Sequence, residues 1–257
     1  LSTSSAASDV YKRQVVERLD IKKDLYKRLN EVINPNCVVT SNTSTIPISL
    51  LVEDMPKDFQ KRFAITHYFN PVRYMRLLEL VRGANTDEKI MDQLADYNDR
   101  VMGKGVVRCN DTPGFLGNRV GVFALQVGMD EASRNKLTVE EADALMGRPM
   151  GIPKTGVFGL YDLIGIDLMS DVVNTLGDIL PEDDLFHEVG TLNNPVMPLI
   201  RDMIKNGFTG DKGAGGFYRI ESNTNCAVDL NNGKIRLRQK TLPISAQKAA
   251  DAQAAGG

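Results

Sequence analysis

The stretch Ile65-Thr66-His67-Tyr68-Phe69-Asn70-Pro71 includes the end of one apolar segment, Arg62 to Phe69, and a second apolar segment, Met75 to Val81, follows it. β-Branched and large apolar residues dominate both segments, which predicts two short strands. Proline restricts its own backbone and that of the residue before it, so Asn70-Pro71-Val72-Arg73 predicts the connection between the strands. We therefore expect two consecutive strands joined by this connection.

His67 lies in the first segment and Glu79 in the second, and the chain contains only two histidines. If the strands lie side by side, the imidazole and the carboxylate can meet. A carboxylate bonded to one ring nitrogen fixes the tautomer and stabilises the imidazolium, so that the other nitrogen can accept a proton near neutral pH. The pair is a candidate general base. Taken alone, the pair favours the alternative, a buried histidine whose polar neighbour has only a structural role. Paired ionisable groups occur in purely structural positions as well as in active sites.

Polar residues that could face a ligand lie upstream of this pair. The segment Cys37 to Ser41 predicts a buried strand, and Asn42-Thr43-Ser44 follows it as a polar turn. Ligands of open α/β sheets lie at the ends of strands, so these hydroxyls and this amide can face a cofactor or a substrate. Ordinary turn and helix-capping chemistry explains the same residues without a ligand.

A helix is predicted downstream, from Asn110-Asp111-Thr112-Pro113-Gly114-Phe115, with Thr112 at the N-cap and Pro113 at the first helical position. Its apolar face is predicted to contain, at helical spacing, Leu116, Val120, Phe123 and Val127. Asn118 lies off that face in an early turn, where its amide could reach a ligand. A solvated helix asparagine is the alternative.

Taken together, these motifs resemble the L-3-hydroxyacyl-CoA dehydrogenase family, the NAD-dependent enzymes of fatty acid β-oxidation. The matching motifs follow the family's order and approximate spacing: Val15-Val16-Glu17 with Lys22, Ser41-Asn42-Thr43-Ser44, His67-Tyr68-Phe69-Asn70-Pro71, Glu79, and Asp111-Thr112-Pro113-Gly114-Phe115 through Asn118-Arg119. Several ordered motifs are far more specific than any one of them. The resemblance therefore favours a functional role for His67 and Glu79 over a structural one.

The resemblance implies the oxidation of an L-3-hydroxyacyl-CoA to a 3-oxoacyl-CoA. His67 would take the proton of the substrate's 3-hydroxyl while a hydride passes to the nicotinamide, and Glu79 would orient His67. Ser44 and Asn118 would donate hydrogen bonds near the reacting oxygen. The reaction needs no metal when the base is positioned, since NAD carries the electron chemistry.

Glu17, Lys22 and Asn42 match family positions that contact NAD, the cofactor that the resemblance implies. The sequence contains no Gly-x-Gly-x-x-Gly after an early strand, which is the loop that binds a dinucleotide pyrophosphate. The family carries this loop before the point at which the resemblance begins. We therefore expect weak or undetectable NADH binding and impaired activity.

Residues 1–14 have no helical or strand period, no initiator methionine and no relation to the family pattern, which starts abruptly at Val15. This composition predicts a non-native segment, a translated adaptor or cloning scar, with a disordered native tail as the alternative. On the first interpretation, the chain is a fragment that lacks the first part of its nucleotide-binding domain.

The predicted fold class is α/β followed by all-α. Residues 15–111 alternate helix and strand, which predicts the C-terminal half of a Rossmann-like doubly wound sheet and hence a partial NAD-binding domain. Residues 112–221 predict helices only and resemble the family's helical C-terminal domain, which implies a homodimer contact there. Residues 222–257 are polar and end in an Ala-, Gln- and Lys-rich stretch, which predicts a linker or tail.

One motif of the helical region points to a longer parent protein. Pro149-Met150-Gly151-Ile152-Pro153 differs from the simplest single-function members of the family. It is more similar to longer bifunctional proteins in which an enoyl-CoA hydratase domain follows. The resemblance thus implies a fused or associated enoyl-CoA hydratase.

Composition argues against several other classes of function. The chain has 257 residues, of which 42% are hydrophobic and 25% charged, and its net charge of -2 gives no sign of nucleic-acid binding. No apolar run reaches the length of about 18 residues that predicts a membrane span. Cys37, Cys109 and Cys226 are widely spaced, which disfavours a disulfide framework or a zinc site and predicts a reducing, cytoplasmic location.

A non-enzymatic relative that acts as an oligomerisation or structural module is the alternative function. An assembly protein has no need of His67, Glu79, Ser44 and Asn118 together, so their presence favours the dehydrogenase. The β-hydroxyacid dehydrogenases are a weaker alternative, because they use a lysine near the hydroxyl and no matching lysine motif stands in place of His67.

Overall fold

The computed structural model describes residues 18–44, 46–150, 154–189 and 194–255. These residues form two compact units, which divide between Gly117 and Asn118. Glu17 and the segment 1–14 that is predicted to be non-native lie outside the described residues. Within the described ranges, no helix is both long and apolar enough to cross a membrane.

The first unit contains a four-stranded sheet with helices. In chain order its elements are α1 (Leu19–Val32), β1 (Val39–Ser41), α2 (Ile48–Leu51), α3 (Lys57–Lys61), β2 (Phe63–Tyr68), β3 (Leu77–Arg82), α4 (Glu88–Asp96) with a π-helical turn (Tyr97–Val101), and β4 (Gly105–Cys109). Strands β1–β2 and β3–β4 are parallel, whereas β2–β3 is antiparallel. The two strands predicted on either side of Asn70-Pro71 are β2 and β3, and the α/β class of this region is confirmed.

Strand β2 is buried on both faces of the sheet. Phe63 and Ile65 belong to one apolar cluster that includes residues of α1, α2 and α3, whereas Ala64 packs with Met91 of α4. A strand that is covered on both faces carries an uninterrupted apolar run instead of an alternating one. This burial explains the continuous apolar sequence that precedes His67.

The second unit combines helices with a small antiparallel sheet. Its elements are α5 (Gly117–Arg134, which starts at the last residue of the first unit), α6 (Val139–Leu145), a 3₁₀ turn (Arg148–Met150), α7 (Phe158–Ile164), α8 (Ile166–Ile179), α9 (Phe186–Val189), α10 (Met197–Lys205), β5 (Tyr218–Glu221), β6 (Thr224–Val228), β7 (Ile235–Leu237) and α11 (Ile244–Ala255). Strands β5, β6 and β7 pair in chain order. The predicted change from an α/β region to a helical one is confirmed, but the prediction of helices only over 112–221 is wrong at its end, where β5 lies.

The predicted start of α5 is wrong. Thr112 and Pro113 lie in a turn, and the helix begins at Gly117. Gly114 and Phe115 have φ angles of 70° and 49°, in the left-handed region, and so cannot be part of a right-handed helix. The proline and the candidate cap were compatible with a helix start, but the two residues after them interrupt it.

The predicted apolar face of α5 is only partly right. Phe123 packs against the core of the second unit, but Leu116 and Val120 are 46% and 59% exposed. The buried residues of the helix instead include Val122, Leu125 and Met129, which pack into the core of the second unit. Both sets recur at helical spacing, so periodicity shows that the segment is a helix but does not choose between two apolar stripes.

The structure differs from the linker or tail predicted over 222–257. This stretch contains β6, β7 and α11, and Val228 is fully buried in the core of the second unit. Glu140 of α6 pairs with the guanidinium of Arg236, and its carboxylate accepts the N–H of Gln239 at 2.7 Å. The strands span only 5 and 3 residues, too short for a periodic pattern to stand out.

Candidate active site

The imidazole of His67 and the carboxylate of Glu79 form a buried pair. The two residues are directly opposed in the antiparallel β2–β3 ladder, so their side chains lie on the same face of the sheet. Nδ1 of His67 is 2.6 Å from Oε2 of Glu79, and the residues are 5% and 0% exposed. The predicted contact is therefore present.

The second ring nitrogen of His67 faces a hydroxyl. Nε2 lies 3.1 Å from Oγ of Ser44, in the turn after β1. With the proton on Nδ1, where the Glu79 carboxylate favours it, Nε2 is the acceptor and the serine hydroxyl donates. Ser44, His67 and Glu79 thus form one hydrogen-bonded series in which Nε2 of His67 is the proton acceptor.

Two backbone N–H groups bind the other oxygen of Glu79. Leu116 and Gly117 donate to Oε1 at 2.9 Å and 2.6 Å, just where the first N–H groups of α5 have no partner within the helix. Burial raises the pKa of Glu79, but the hydrogen bonds from His67, Gly117 and Leu116 together bring it below its usual range. Glu79 therefore stays ionised at neutral pH and can stabilise an imidazolium.

Sequence reasoning missed these two backbone donors and two aromatic neighbours of His67. The ring centroids of Phe69 and Phe115 lie 4.6 Å and 5.8 Å from that of the imidazole. The signal that could have found the donors is Gly114, since a glycine directly after a proline favours a turn rather than a continuous helix.

The carboxylate of Asp111 holds the segment that follows Ser44. Its two oxygens accept the N–H groups of Ile48 and Ser49 at 2.8 Å and 3.0 Å, which caps the short helix α2. The predicted capping motif does include a capping residue, but it is Asp111 and not Thr112. The helix that it caps is α2 and not α5.

Asn42 lies at one end of the sheet, and Lys22 lies on α1. Oδ1 of Asn42 accepts the N–H of Tyr68 at 2.8 Å, which joins the carboxyl ends of the parallel strands β1 and β2. Lys22 is buried on α1, one turn before Tyr26, whose hydroxyl donates to Oγ of Ser41 at 3.0 Å. In open α/β sheets, dinucleotides bind outside the carboxyl ends of the strands.

Asn118 is the first residue of the second unit and lies in the first turn of α5, half-buried. Its predicted contact with a substrate stays a prediction, as does the role of Glu17 outside the described residues.

Two models of one enzyme family match the chain. The NAD-binding domain of 3-hydroxyacyl-CoA dehydrogenase matches residues 2–112, and the C-terminal domain of 3-hydroxyacyl-CoA dehydrogenase matches residues 114–220. The chain belongs to the 3-hydroxyacyl-CoA dehydrogenase family. The resemblance and its NAD-binding domain are thereby confirmed. The domain boundaries stay predictions, and the first match includes residues 2–14, for which a non-native origin is predicted.

Curated members of the family share about a third of their residues with this chain. The mitochondrial hydroxyacyl-coenzyme A dehydrogenase of Mus musculus is 31% identical over 227 residues, which cover 86% of this chain and 68% of that protein. A Rickettsia felis protein provisionally named as a fatty acid oxidation complex trifunctional enzyme is 40% identical over 220 residues, 86% of this chain and 29% of its own length. The chain thus spans less than a third of that relative.

Solved structures of the family have the same fold. FadB2 of M. tuberculosis has a TM-score of 0.69 at 31% identity, over 81% of this chain and 69% of that one. The 3-hydroxybutyryl-CoA dehydrogenase of Escherichia coli has a TM-score of 0.68 at 28% identity, over 90% of this chain and 44% of that one. Both matches confirm the predicted fold class.

Proposed function

We propose that this chain catalyses the NAD-dependent oxidation of an L-3-hydroxyacyl-CoA to a 3-oxoacyl-CoA in fatty acid β-oxidation. The observation that carries the proposal is the series Ser44–His67–Glu79, in which a buried, ionised carboxylate leaves one imidazole nitrogen as a proton acceptor. The names of the relatives agree with this chemistry. Among the described residues, nothing favours the alternative of a purely structural module.

The oxidation of a secondary alcohol removes a hydride and a proton from the substrate. Nε2 of His67 takes the hydroxyl proton, and Glu79 stabilises the imidazolium that results. The Ser44 hydroxyl, 3.1 Å from Nε2, donates to the reacting oxygen once the substrate hydroxyl takes its place as the partner of Nε2. Asn118 is proposed as a second donor to that oxygen.

The residues of the first unit fit a nicotinamide dinucleotide. Asn42 follows the carboxyl end of β1, and Lys22 lies on α1 one turn before Tyr26, whose hydroxyl bonds to Ser41 at the end of that strand. They would hold the cofactor together with Glu17. NAD supplies the hydride acceptor.

The parent protein is proposed to form a homodimer through the helical second unit and to be fused to, or associated with, an enoyl-CoA hydratase. Val120, Leu163 and Leu168 of that unit are between 49% and 60% exposed and so are available to such a contact. The name of the Rickettsia felis relative supports a multifunctional parent. A reducing, cytoplasmic location is proposed from the three free cysteines.

The test is turnover of acetoacetyl-CoA with NADH, together with NADH titration of the same preparation. We expect acetoacetyl-CoA-dependent oxidation of NADH, with weak NADH binding because the sequence has no Gly-x-Gly-x-x-Gly. Micromolar NADH affinity would contradict the importance given to that loop. A folded chain without turnover even at saturating NADH would contradict the proposed function.

A further inference from the structure

The ring of Phe69 fills the space where a side chain of Gly117 would lie. A Cβ atom at Gly117 would be 2.6 Å from Cζ of Phe69 and 3.3 Å from its Cε1. Carbon atoms in contact lie about 3.5–4.0 Å apart. A side chain at position 117 and the phenyl ring therefore cannot both keep these positions.

The same ring contacts the imidazole of His67. Their centroids are 4.6 Å apart, and their planes are inclined by 57°. Gly117 in turn donates its N–H to Glu79 at 2.6 Å. Phe69 and Gly117 thus contact each other, and each also contacts one member of the His67–Glu79 pair.

We propose that Phe69 is a positioning residue for His67 in the dehydrogenase reaction proposed above, and that Gly117 is required because the Phe69 ring occupies the place of its side chain. The imidazole must present Nδ1 to Glu79 and Nε2 to Ser44 at the same time. A phenyl ring packed against it limits ring rotation and keeps water away from the buried hydrogen bond. Phe69 acts through His67 and not on the reacting atoms.

A double-mutant cycle tests the coupling between the two residues. Phe69→Leu removes Cε1 and Cζ but keeps a branched apolar side chain, and Gly117→Ala adds the Cβ atom that would meet them. Gly117→Ala should therefore disturb the positioning of His67 when Phe69 is present and leave it unchanged in the Phe69→Leu background. Such a difference between the two backgrounds is strong non-additivity. Tyr68→Leu is the matched control, because the Tyr68 hydroxyl bonds to Asn98 and not to His67.

The first readout is solvent exchange of the imidazole N–H groups in the full chain, measured by NMR. The two histidines are His67 and His187, so His187 serves as an internal reference. We expect exchange of the His67 Nδ1–H to be about tenfold faster in Phe69→Leu and in Gly117→Ala, and the double variant to match Phe69→Leu within about twofold. Tyr68→Leu should match the wild type.

Two outcomes would overturn the proposal. One is an exchange rate of the His67 Nδ1–H that Phe69→Leu leaves unchanged. The other is an equal increase in that rate from Gly117→Ala in the wild type and in the Phe69→Leu background. Urea unfolding of each variant shows that exchange is compared between folded proteins. If Gly117→Ala alone does not fold, the Phe69→Leu background should restore folding, and failure to do so would count against the proposal.

The second readout is turnover. Phe69→Leu is expected to lower kcat about tenfold and to leave KM within about twofold, since ring orientation affects proton transfer more than substrate binding. Equal changes in kcat and KM would contradict a positioning role. The exchange measurement needs no turnover, so a protected His67 proton in a chain without activity would refute the proposed function and leave the positioning of His67 intact.

Discussion

Glu79 is fully buried, yet its hydrogen bonds hold its pKa below the usual range. A glutamate in an unfolded chain has a pKa of about 4.3. Because the folded-state value is lower, the ionised carboxylate stabilises the fold above that pH, and this contribution is lost as the pH falls through the lowered value. The folded chain should therefore lose stability in acid partly through this one residue.

Replacement of Glu79 by glutamine tests this effect. We expect the wild type to have a larger free energy of unfolding than Glu79→Gln at about pH 7, and the difference to shrink at about pH 3. Urea unfolding at both pH values measures it. A difference that does not change with pH would show that Glu79 is not ionised in the folded protein.

Cys109 lies beside this pair but is not expected to react. Its Sγ is 3.9 Å from Oε1 of Glu79, and burial together with the nearby carboxylate raises the pKa of the thiol to about 11. Since the thiolate is the reactive form, iodoacetamide should label exposed Cys37 in the folded chain well before Cys109. Peptide mass mapping after timed labelling checks the order, and equal rates would contradict the buried site.

The contact between His67 and Glu79 could be predicted from the sequence, but the backbone N–H groups that bind Glu79 could not. The spacing of His67 and Glu79 in two apolar strands predicted their contact, because antiparallel neighbours place opposed side chains together. The donors Leu116 and Gly117 act through their backbone N–H groups. Every residue except proline carries such a group, so no residue type marks the donors.

At the scale of elements, Asp111 connects the end of β4 to α2. Its carboxylate is expected to stabilise the chain by about 1 kcal/mol, as side-chain caps do. Asp111→Ala should lower the free energy of unfolding by that amount in urea, and Asp111→Asn, which keeps one acceptor oxygen, should lower it less. Equal stability of Asp111→Ala and the wild type would show that the cap contributes nothing.

Helix α5 could be predicted from the sequence only in part. Its helical character was evident from spacing, but its start and its buried face were not. The helix starts late because Phe115 adopts a left-handed backbone conformation. An aromatic residue rarely adopts that conformation, and the local sequence does not favour it. The choice between the stripes of Val120 and Val122 depends on what packs against the helix, which is information from outside the segment.

At the scale of the whole molecule, the stretch after residue 222 is part of the second unit. Val228 is fully buried there, whereas Ile220 on the neighbouring strand is 71% exposed. Val228→Ala should lower the free energy of unfolding by about 2 kcal/mol, as loss of buried methyl groups does. Ile220→Ala is the matched control and should change little. If both variants changed the free energy of unfolding in urea by the same small amount, the result would instead support a linker over 222–257.

The central claim is that His67 is the base of an alcohol dehydrogenation. Its most direct test is kcat for acetoacetyl-CoA and NADH in His67→Ala, with His187→Ala, in the second unit, as the matched control. We expect His67→Ala to lower kcat by about 10²- to 10⁴-fold, the contribution of a positioned base, and His187→Ala to leave it unchanged. A kcat for His67→Ala within about threefold of the wild type would contradict the claim.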